Sequence, residues 1–370
     1  MPTIAIFLHQ LDATGVARNA IAIARHMEGA GWRAVLVTVR DGGELAGTVG
    51  GLRHEVLGGR RLPRKMELRL AIGRLRRTLL GLKADVVLSA GNHAHFAVLA
   101  ATSGELRRRT VYRFSNDLAH TGGGLRAWIS RRRAVARMVA RRAARLVLVS
   151  DNLARDPILA PHVASGKARV IGNGVEVAQV RARALEPGDH PWLADDVPIV
   201  LGVGRLVRQK NFAVLLDAFA QSHQVRPMRL IVVGAGKPDV RAALEAQAGA
   251  LGVSEDVSLP GQVANPYPYF QAASVMALPS LWEGSPNVLL EALACETPVV
   301  ASHSAGNAAA ILDHGRYGVL ADPRSAEAFA RGILAQMDPA TCIKPGQRAE
   351  AFDRSVSLAA YQALFEELLA

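Results

Sequence analysis

The chain has 370 residues, half of them apolar and about a fifth charged, which suits two soluble domains and is too long for one small core. Aromatic residues at 5% argue against base-stacking platforms, and two cysteines (Cys295, Cys342) argue against a disulfide framework and for a reducing cytosol. The net charge of +12 is strongly arginine-weighted, with only six lysines among 44 basic residues, a skew that a GC-rich genome can produce, so the clustering of charge says more than its sum.

Thr3 to Leu8 reads as a short strand, too brief and too bare of flanking basic residues for an export signal. A turn containing Gly15 and Arg18 follows, then a helical pattern through Met27 that Gly29, Ala30 and Gly31 end, then a strand over Ala34 to Val39. Strand, glycine turn, helix and strand in this order make the βαβ unit of a parallel sheet.

Arg60 to Lys83 holds nine basic residues and one acid. Leu62, Met66, Leu70, Ile72, Leu75, Leu79 and Leu80 run through it at near-helical spacing. Arg126 to Arg145 holds eight basic residues and no acid. Such segments read either as contacts with an anionic membrane surface or as half-buried helices with a solvated arginine face.

Strands fit Asp85 to Ser89, Thr110 to Arg113 and Leu146 to Ser150, and the loops after them should open at the carboxyl edge of the sheet, where such folds bind ligands. Those loops carry Asn92, His93 and His95, then Asn116, Asp117 and His120. Asn116, His120 and His93 are the candidates there for contact with a ligand. No transmembrane span is visible: a long run without Lys, Arg, Asp or Glu, Val86 to Gly104, contains polar residues costly in lipid.

Linker composition near 183–198 places the domain boundary around residues 175–195, giving a first domain over 1–180 and a second over 181–351. The second half repeats the pattern. Pro198 to Gly204, Met228 to Gly234, Val257 to Leu259, Ala273 to Leu278 and Pro298 to Ala301 read as strands. Asn211 to Gln221 and Val240 to Leu251 read as helices, and Phe352 to Leu369 as the last one.

The chain is organised around Leu278 to Val300. A turn-rich run passes into a helix, with Pro286 suited to its first position. Glu283 lies at the helix mouth and Glu291 inside, sharing a face with Asn287. Two carboxylates therefore flank a helix N-terminus, whose N–H groups and dipole favour an anionic ligand. Taken alone, the segment is also what a capped surface helix with two solvated acids looks like.

The run from Glu283 to Ala294, EGSPNVLLEALA, resembles the EGxPNVxxEAxA signature of the retaining, nucleotide-sugar-dependent glycosyltransferases of family 4. Gly204 to Lys210 resembles that family's GRLxxxK element. The resemblance implies an α/β protein of two Rossmann-like, doubly wound domains facing across a cleft (the GT-B fold), with the last helix, about 352–370, returning to the first domain. It implies transfer of a hexose from a nucleotide diphosphate sugar, UDP favoured, to a glycan or lipid-linked acceptor of the cell envelope, with retention.

By position, Arg205 and Lys210 would hold the diphosphate, Glu283 would orient the sugar and Glu291 would hold the ribose. Gly15, Gly204, Gly236, Gly261, Gly284, Ser285, Pro286, Asn287 and Val288 would line the donor, and Asn116, His120 and His93 would lie on the acceptor side. The family's Gly-Gly turn near residue 15 is here Thr14-Gly15, its usual Pro is Gly172, its Gly after the cysteine is Glu296, and a Glu in the segment 306–310 is missing at Ala310. No Asp-x-Asp and no metal-ligand spacing occur, so a reaction without metal or cofactor is expected. The expected location is cytoplasmic, on the inner face of the membrane if the arginine segments bind lipid. A catalytically silent relative that binds anionic lipid or nucleic acid, and a nucleotide-sugar epimerase or phosphorolytic transferase, are the alternatives.

Overall fold

The computed structural model describes residues 1–12, 14–116, 118 and 125–370, with side chains left aside over 125–132. The chain divides into two compact units, Met1–Asn173 with Ser357–Ala370, and Gly174–Val356.

The first unit is a parallel sheet of β1 (Thr3–Leu8), β2 (Arg33–Thr38), β3 (Arg53–Val56), β4 (Val86–Ser89), β5 (Thr110–Phe114), β6 (Arg145–Leu148) and β7 (Ala168–Val170). Its spatial order is β3-β2-β1-β4-β5-β6-β7. Alternation along β1 builds two cores at once. Ile4, Ile6 and Leu8 pack with Trp32 and with Tyr361, Leu364 and Phe365 of the last helix, while Ala5 and Phe7 pack with Leu75, Leu79, Tyr112 and Phe114 on the other face. A sheet covered on both faces needs strands apolar on both sides, and the central ones are.

The second unit repeats the plan with β8 (Ile199–Val203), β9 (Arg229–Val233), β10 (Val257–Gly261), β11 (Val275–Leu278), β12 (Val299–Ser302) and β13 (Val319–Ala321), ordered β10-β9-β8-β11-β12-β13. All pairings in both sheets are parallel.

Several expectations need correction. The break at Asn173/Gly174 precedes the linker-like stretch, because Val177, Val180 and Ala184 of the helix Val177–Ala184 are buried in the second unit's core. There the chain runs beside its own return: Val175 bridges Asp353, and a Cβ on Gly174 would lie 2.3 Å from the Arg354 backbone. The final helix is Arg354–Glu367, and the unit boundary falls within its first turn.

The basic apolar stripe is two short helices, Arg64–Leu70 and Ile72–Gly81. It is also divided in allegiance: Leu75 and Leu79 are buried, whereas Met66, Leu70 and Leu80 are 50–63% exposed. Among the described residues, no helix is long and apolar enough to cross a membrane.

Candidate active site

In a sheet ordered 3-2-1-4-5-6, the connections leave the first and fourth strands in opposite directions, which opens a crevice at their carboxyl ends. In the second unit those strands are β8 and β11. Their following loops contain Gly204 to Asn211 and Pro279 to Pro286, so topology alone brings the two sequence motifs together.

Backbone demands explain the glycines. Gly204 and Gly234 have φ of 149° and 154°, and a Cβ on Gly234 would fall 1.9 Å from the Gly204 carbonyl oxygen. A Cβ on Gly204 would lie 2.7 Å from Cε of Lys210, whose side chain crosses that glycine on its way to Glu283. Gly236 sits beside Leu206 in an isolated parallel bridge, with 2.3 Å between a would-be Cβ and that of Leu206. The N–H of Gly234 donates to the carbonyl of Gly261, itself at φ 89°. Gly204, Gly234 and Gly236 each permit a close approach that a side chain would obstruct, and Gly261 supplies a left-handed φ.

Lys210 Nζ lies 2.7 Å from Oε1 of Glu283, with the two side chains only 13% and 11% exposed. The same carboxylate oxygen accepts from Ser280 Oγ at 2.9 Å, and Oε2 accepts from Gln209 Nε2 at 3.3 Å. Gln209 Nε2 also donates to the Trp282 carbonyl, and the Leu281 N–H donates to the Gln209 carbonyl. Asn211, left-handed at φ 58°, donates through its side chain to the carbonyls of Pro279 and Pro323. The cation loop and the carboxylate loop are thus stapled together through Gln209 and Asn211, while Ser280 steadies Glu283 within its own loop; the motifs point to none of the three. Asn211 alone carried a signal: it follows the basic loop at a helix start, and asparagine tolerates the left-handed region better than most residues.

Arg205 is exposed, and among the described residues neither it nor Lys237 makes an ion pair. A fixed, half-neutralised lysine and a free arginine are therefore presented by one loop.

The helix following the carboxylate loop spans Asn287–Ala294 with Pro286 as its cap, so Pro286 stands one position before the place expected for it. Asn287 is the first helical residue, and the first-turn N–H groups of a helix have no partner within it. Gly284 is buried under Gly306, whose φ is 60° and whose would-be Cβ lies 2.8 Å from the Gly284 carbonyl oxygen. Beside this contact Ser285 Oγ and Asn307 Oδ1 are buried without a hydrogen-bond partner. Buried polar atoms are normally satisfied, so two orphans at a helix mouth fit a surface that takes a hydroxylated ligand. Val288 and Glu291 are half-buried on the same helix.

At its other end the helix closes in a Schellman turn: the Glu296 N–H donates to Leu293 and the Thr297 N–H to Ala292, with Glu296 left-handed at φ 58°. The glutamate that replaces the family's glycine therefore occupies a position where glycine is the unstrained residue.

In the first unit Gly15 opens the helix Gly15–Gly29, capped by Thr14, whose hydroxyl accepts from the Ala17 N–H. Asn92 Oδ1 accepts from the N–H and hydroxyl of Ser115, and its amide donates to the Asn116 carbonyl, tying together the loops after β4 and β5. Asn116 and His93 are exposed there. His95, by contrast, is buried against Tyr112 and Phe114, its Nδ1 2.8 Å from Ser89 Oγ. Burial lowers its pKa to about 3, which makes it a neutral core residue. His120, Asp117 and the glycines 122–124 lie outside the described residues, as do the side chains of the early part of the segment 126–145.

Residues 13–179 match the model for Glycosyltransferase Family 4, and residues 197–338 match that for Glycosyl transferases group 1. The chain belongs to the family 4 glycosyltransferases.

Among curated relatives of this chain, the N-acetylgalactosamine-N,N'-diacetylbacillosaminyl-diphospho-undecaprenol 4-alpha-N-acetylgalactosaminyltransferase of Campylobacter jejuni is 28% identical over 51% of the chain and 50% of its own length. The lipopolysaccharide core biosynthesis glycosyltransferase LpsE of Rhizobium meliloti is 35% identical over 44% of each. The chain thus spans about half the length, or less, of these relatives. Among solved structures, Anabaena Alr3699/HepE in complex with UDP and glucose has a TM-score of 0.81 at 21% identity, covering 99% of this chain and 100% of that one. The two parallel-sheet units are those of the GT-B fold.

Proposed function

We propose that this family 4 glycosyltransferase moves a hexose from a UDP-sugar to a glycan or lipid-linked acceptor of the cell envelope, with retention of configuration and without a metal. The observation that carries the reading is the Lys210–Glu283 pair at the strand-order reversal of the second unit, with Arg205 on the same loop. The relatives support the details: one is named for lipopolysaccharide core synthesis, one for a diphospho-undecaprenol acceptor, and one structure holds UDP and glucose.

Breaking the bond between the anomeric carbon and the β-phosphate oxygen leaves negative charge on the diphosphate. Fixed cations stabilise that charge without a proton transfer, the task a metal ion performs elsewhere. Arg205 offers a planar fork and Lys210 a point charge. Glu283 keeps Lys210 extended over Gly204 and, with Oε2 held by Gln209, orients the sugar through its remaining acceptor capacity. Glu291, on the helix, takes the ribose. In a front-face route the acceptor hydroxyl forms the new bond on the side the leaving group departs from, and its proton passes to the departing phosphate oxygen. Trapping of a covalent glycosyl-enzyme would rule that route out.

The exposed Met66, Leu70 and Leu80 between basic residues support contact of the first unit with an anionic membrane. Undiminished activity on a soluble acceptor, with no binding to anionic vesicles, would contradict that contact. A thermal-shift panel of UDP-, GDP- and ADP-sugars tests the donor: the cognate nucleotide at a hundred times its Kd should add about 2.7 kcal/mol of apparent stability. No stabilisation by any of them, with salt-sensitive binding of lipid or nucleic acid instead, would point to a silent relative. Sugar epimers appearing in place of transfer product would point to an epimerase.

A further inference from the structure

A cavity of about 290 Å³ lies in the first unit, at the carboxyl ends of β2 and β3. Arg40, Arg60, Arg61 and Arg74 line it, with Asp41 and Glu67 as its acidic members. The acids do not cancel the charge. Glu67 is buried and committed to its neighbours: Arg40 binds it through Nε and Nη2, His9 Nε2 lies 2.7 Å away, and the Leu62 N–H donates to it. The Arg40 bonds hold its carboxyl at about 2. Asp41 is exposed and accepts from the Gly42 N–H.

Arg60, Arg61 and Arg74 are different. Among the described residues none of the three makes an ion pair. Arg60 and Arg61 stand exposed at the rim, and Arg74 reaches the cavity with its Nε buried and without an acceptor. The loop that brings them together is shaped for the purpose. Gly58 and Gly59 have φ of 67° and 133°, and a Cβ on Gly59 would lie 2.6 Å from Nη2 of Arg74. The glycine pair thus lets the Arg74 guanidinium lie against bare backbone while turning Arg60 and Arg61 toward the same space. A buried donor with no acceptor, flanked by two unpaired guanidinium groups, is what recognises a tetrahedral oxyanion.

We infer that this cavity binds a phosphate group, the phosphorylated end of the acceptor. This rests on the reading of the first unit as the acceptor side. Arg60, Arg61 and Arg74 donate to the phosphate oxygens, while Arg40 and Glu67 form the rigid floor. The bearer of that phosphate is a soluble phosphorylated sugar or a lipid headgroup, the latter with Leu70, which lines the cavity, in the apolar layer.

The test uses the full chain with UDP present in saturating amount. Inorganic phosphate is titrated against a sodium chloride control at matched ionic strength, by thermal shift and calorimetry. Wild type should show saturable phosphate binding additional to UDP. R60Q/R61Q, changed only at exposed positions, should bind phosphate at least roughly tenfold more weakly, as loss of charge-assisted hydrogen bonds demands, and R74Q likewise. Both variants should retain the UDP-induced shift of the wild type, which reports that they fold. Absence of phosphate binding by wild type, or undiminished binding by both variants, overturns the inference. A missing UDP shift with phosphate binding intact would instead overturn the donor reading and leave the pocket standing. Vesicles of phosphatidylglycerol separate the sources: release of bound protein by phosphate identifies a headgroup, and indifference to phosphate identifies a soluble phosphorylated sugar.

Discussion

Glu296 shows how a single departure from a family pattern can work against local geometry. Its left-handed φ of 58° closes the helix that begins at Asn287, and its ion pair with Arg181, 3.7 Å long and exposed, contributes little. Glu296→Gly should therefore stabilise the protein by about 0.5–1 kcal/mol, relief of left-handed strain outweighing the added freedom of the unfolded chain. Urea unfolding of the two proteins checks it, and a loss of stability would contradict the strain account. His95 makes a prediction of pH dependence. Its folded pKa of about 3 lies below the ordinary 6.5, so the unfolded chain binds a proton there that the folded chain does not. Its contribution is intact above pH 6.5 and is lost as pH falls from 6.5 toward 3. Burial also lowers His9 and His54, so the informative quantity is the difference between wild type and His95→Gln. The variant should lose less stability between pH 7 and 5; parallel curves would place the titrating group elsewhere.

At the scale of elements, the two loops of the second unit act as one piece, because Lys210 and Glu283 face each other with little solvent around them. A double-mutant cycle of Lys210→Gln and Glu283→Gln, read by denaturant unfolding, should give a coupling of about 1–3 kcal/mol, since each single change leaves its partner's charge uncompensated. Additive effects would mean that the pair is incidental. The contact itself could not be read from the chain, where 73 positions separate the partners of the accompanying Gln209–Trp282 bond. What was legible was periodicity: the central strands are short apolar runs that end in glycine or a turn, and they lie where those runs stand. The strands that escaped, β3, β7 and β13, are all sheet edges. Arg53 to Val56 carries Arg, His and Glu, so backbone pairing to β2 rather than an apolar pattern makes it a strand. The stripe from Leu62 to Leu80 misled in the opposite way, since helical spacing does not say which leucines meet a core.

Over the whole molecule, the two units share one architecture and differ in their chemistry. The second presents glycines, an exposed arginine, a lysine–carboxylate pair and a helix N-terminus at a strand-order reversal. The first presents asparagine-tied loops and an arginine-lined cavity. The motifs of the second unit were legible because their geometry is local, a few residues around each βα turn. The first unit was opaque because its cavity is assembled from the loops after β2 and β3 and the helices Arg64–Leu70 and Ile72–Gly81, with no spacing rule joining Arg40, Arg60 and Arg74. The central claim is that Arg205 and Lys210 stabilise a departing diphosphate. The direct measurement is UDP release from the donor identified by thermal shift, in steady state, for wild type, Arg205→Gln and Lys210→Gln. Each variant should lose about 10²–10³-fold in kcat while its unfolding midpoint, taken without ligand, shows it folded; turnover within a few-fold of wild type in both would contradict the account.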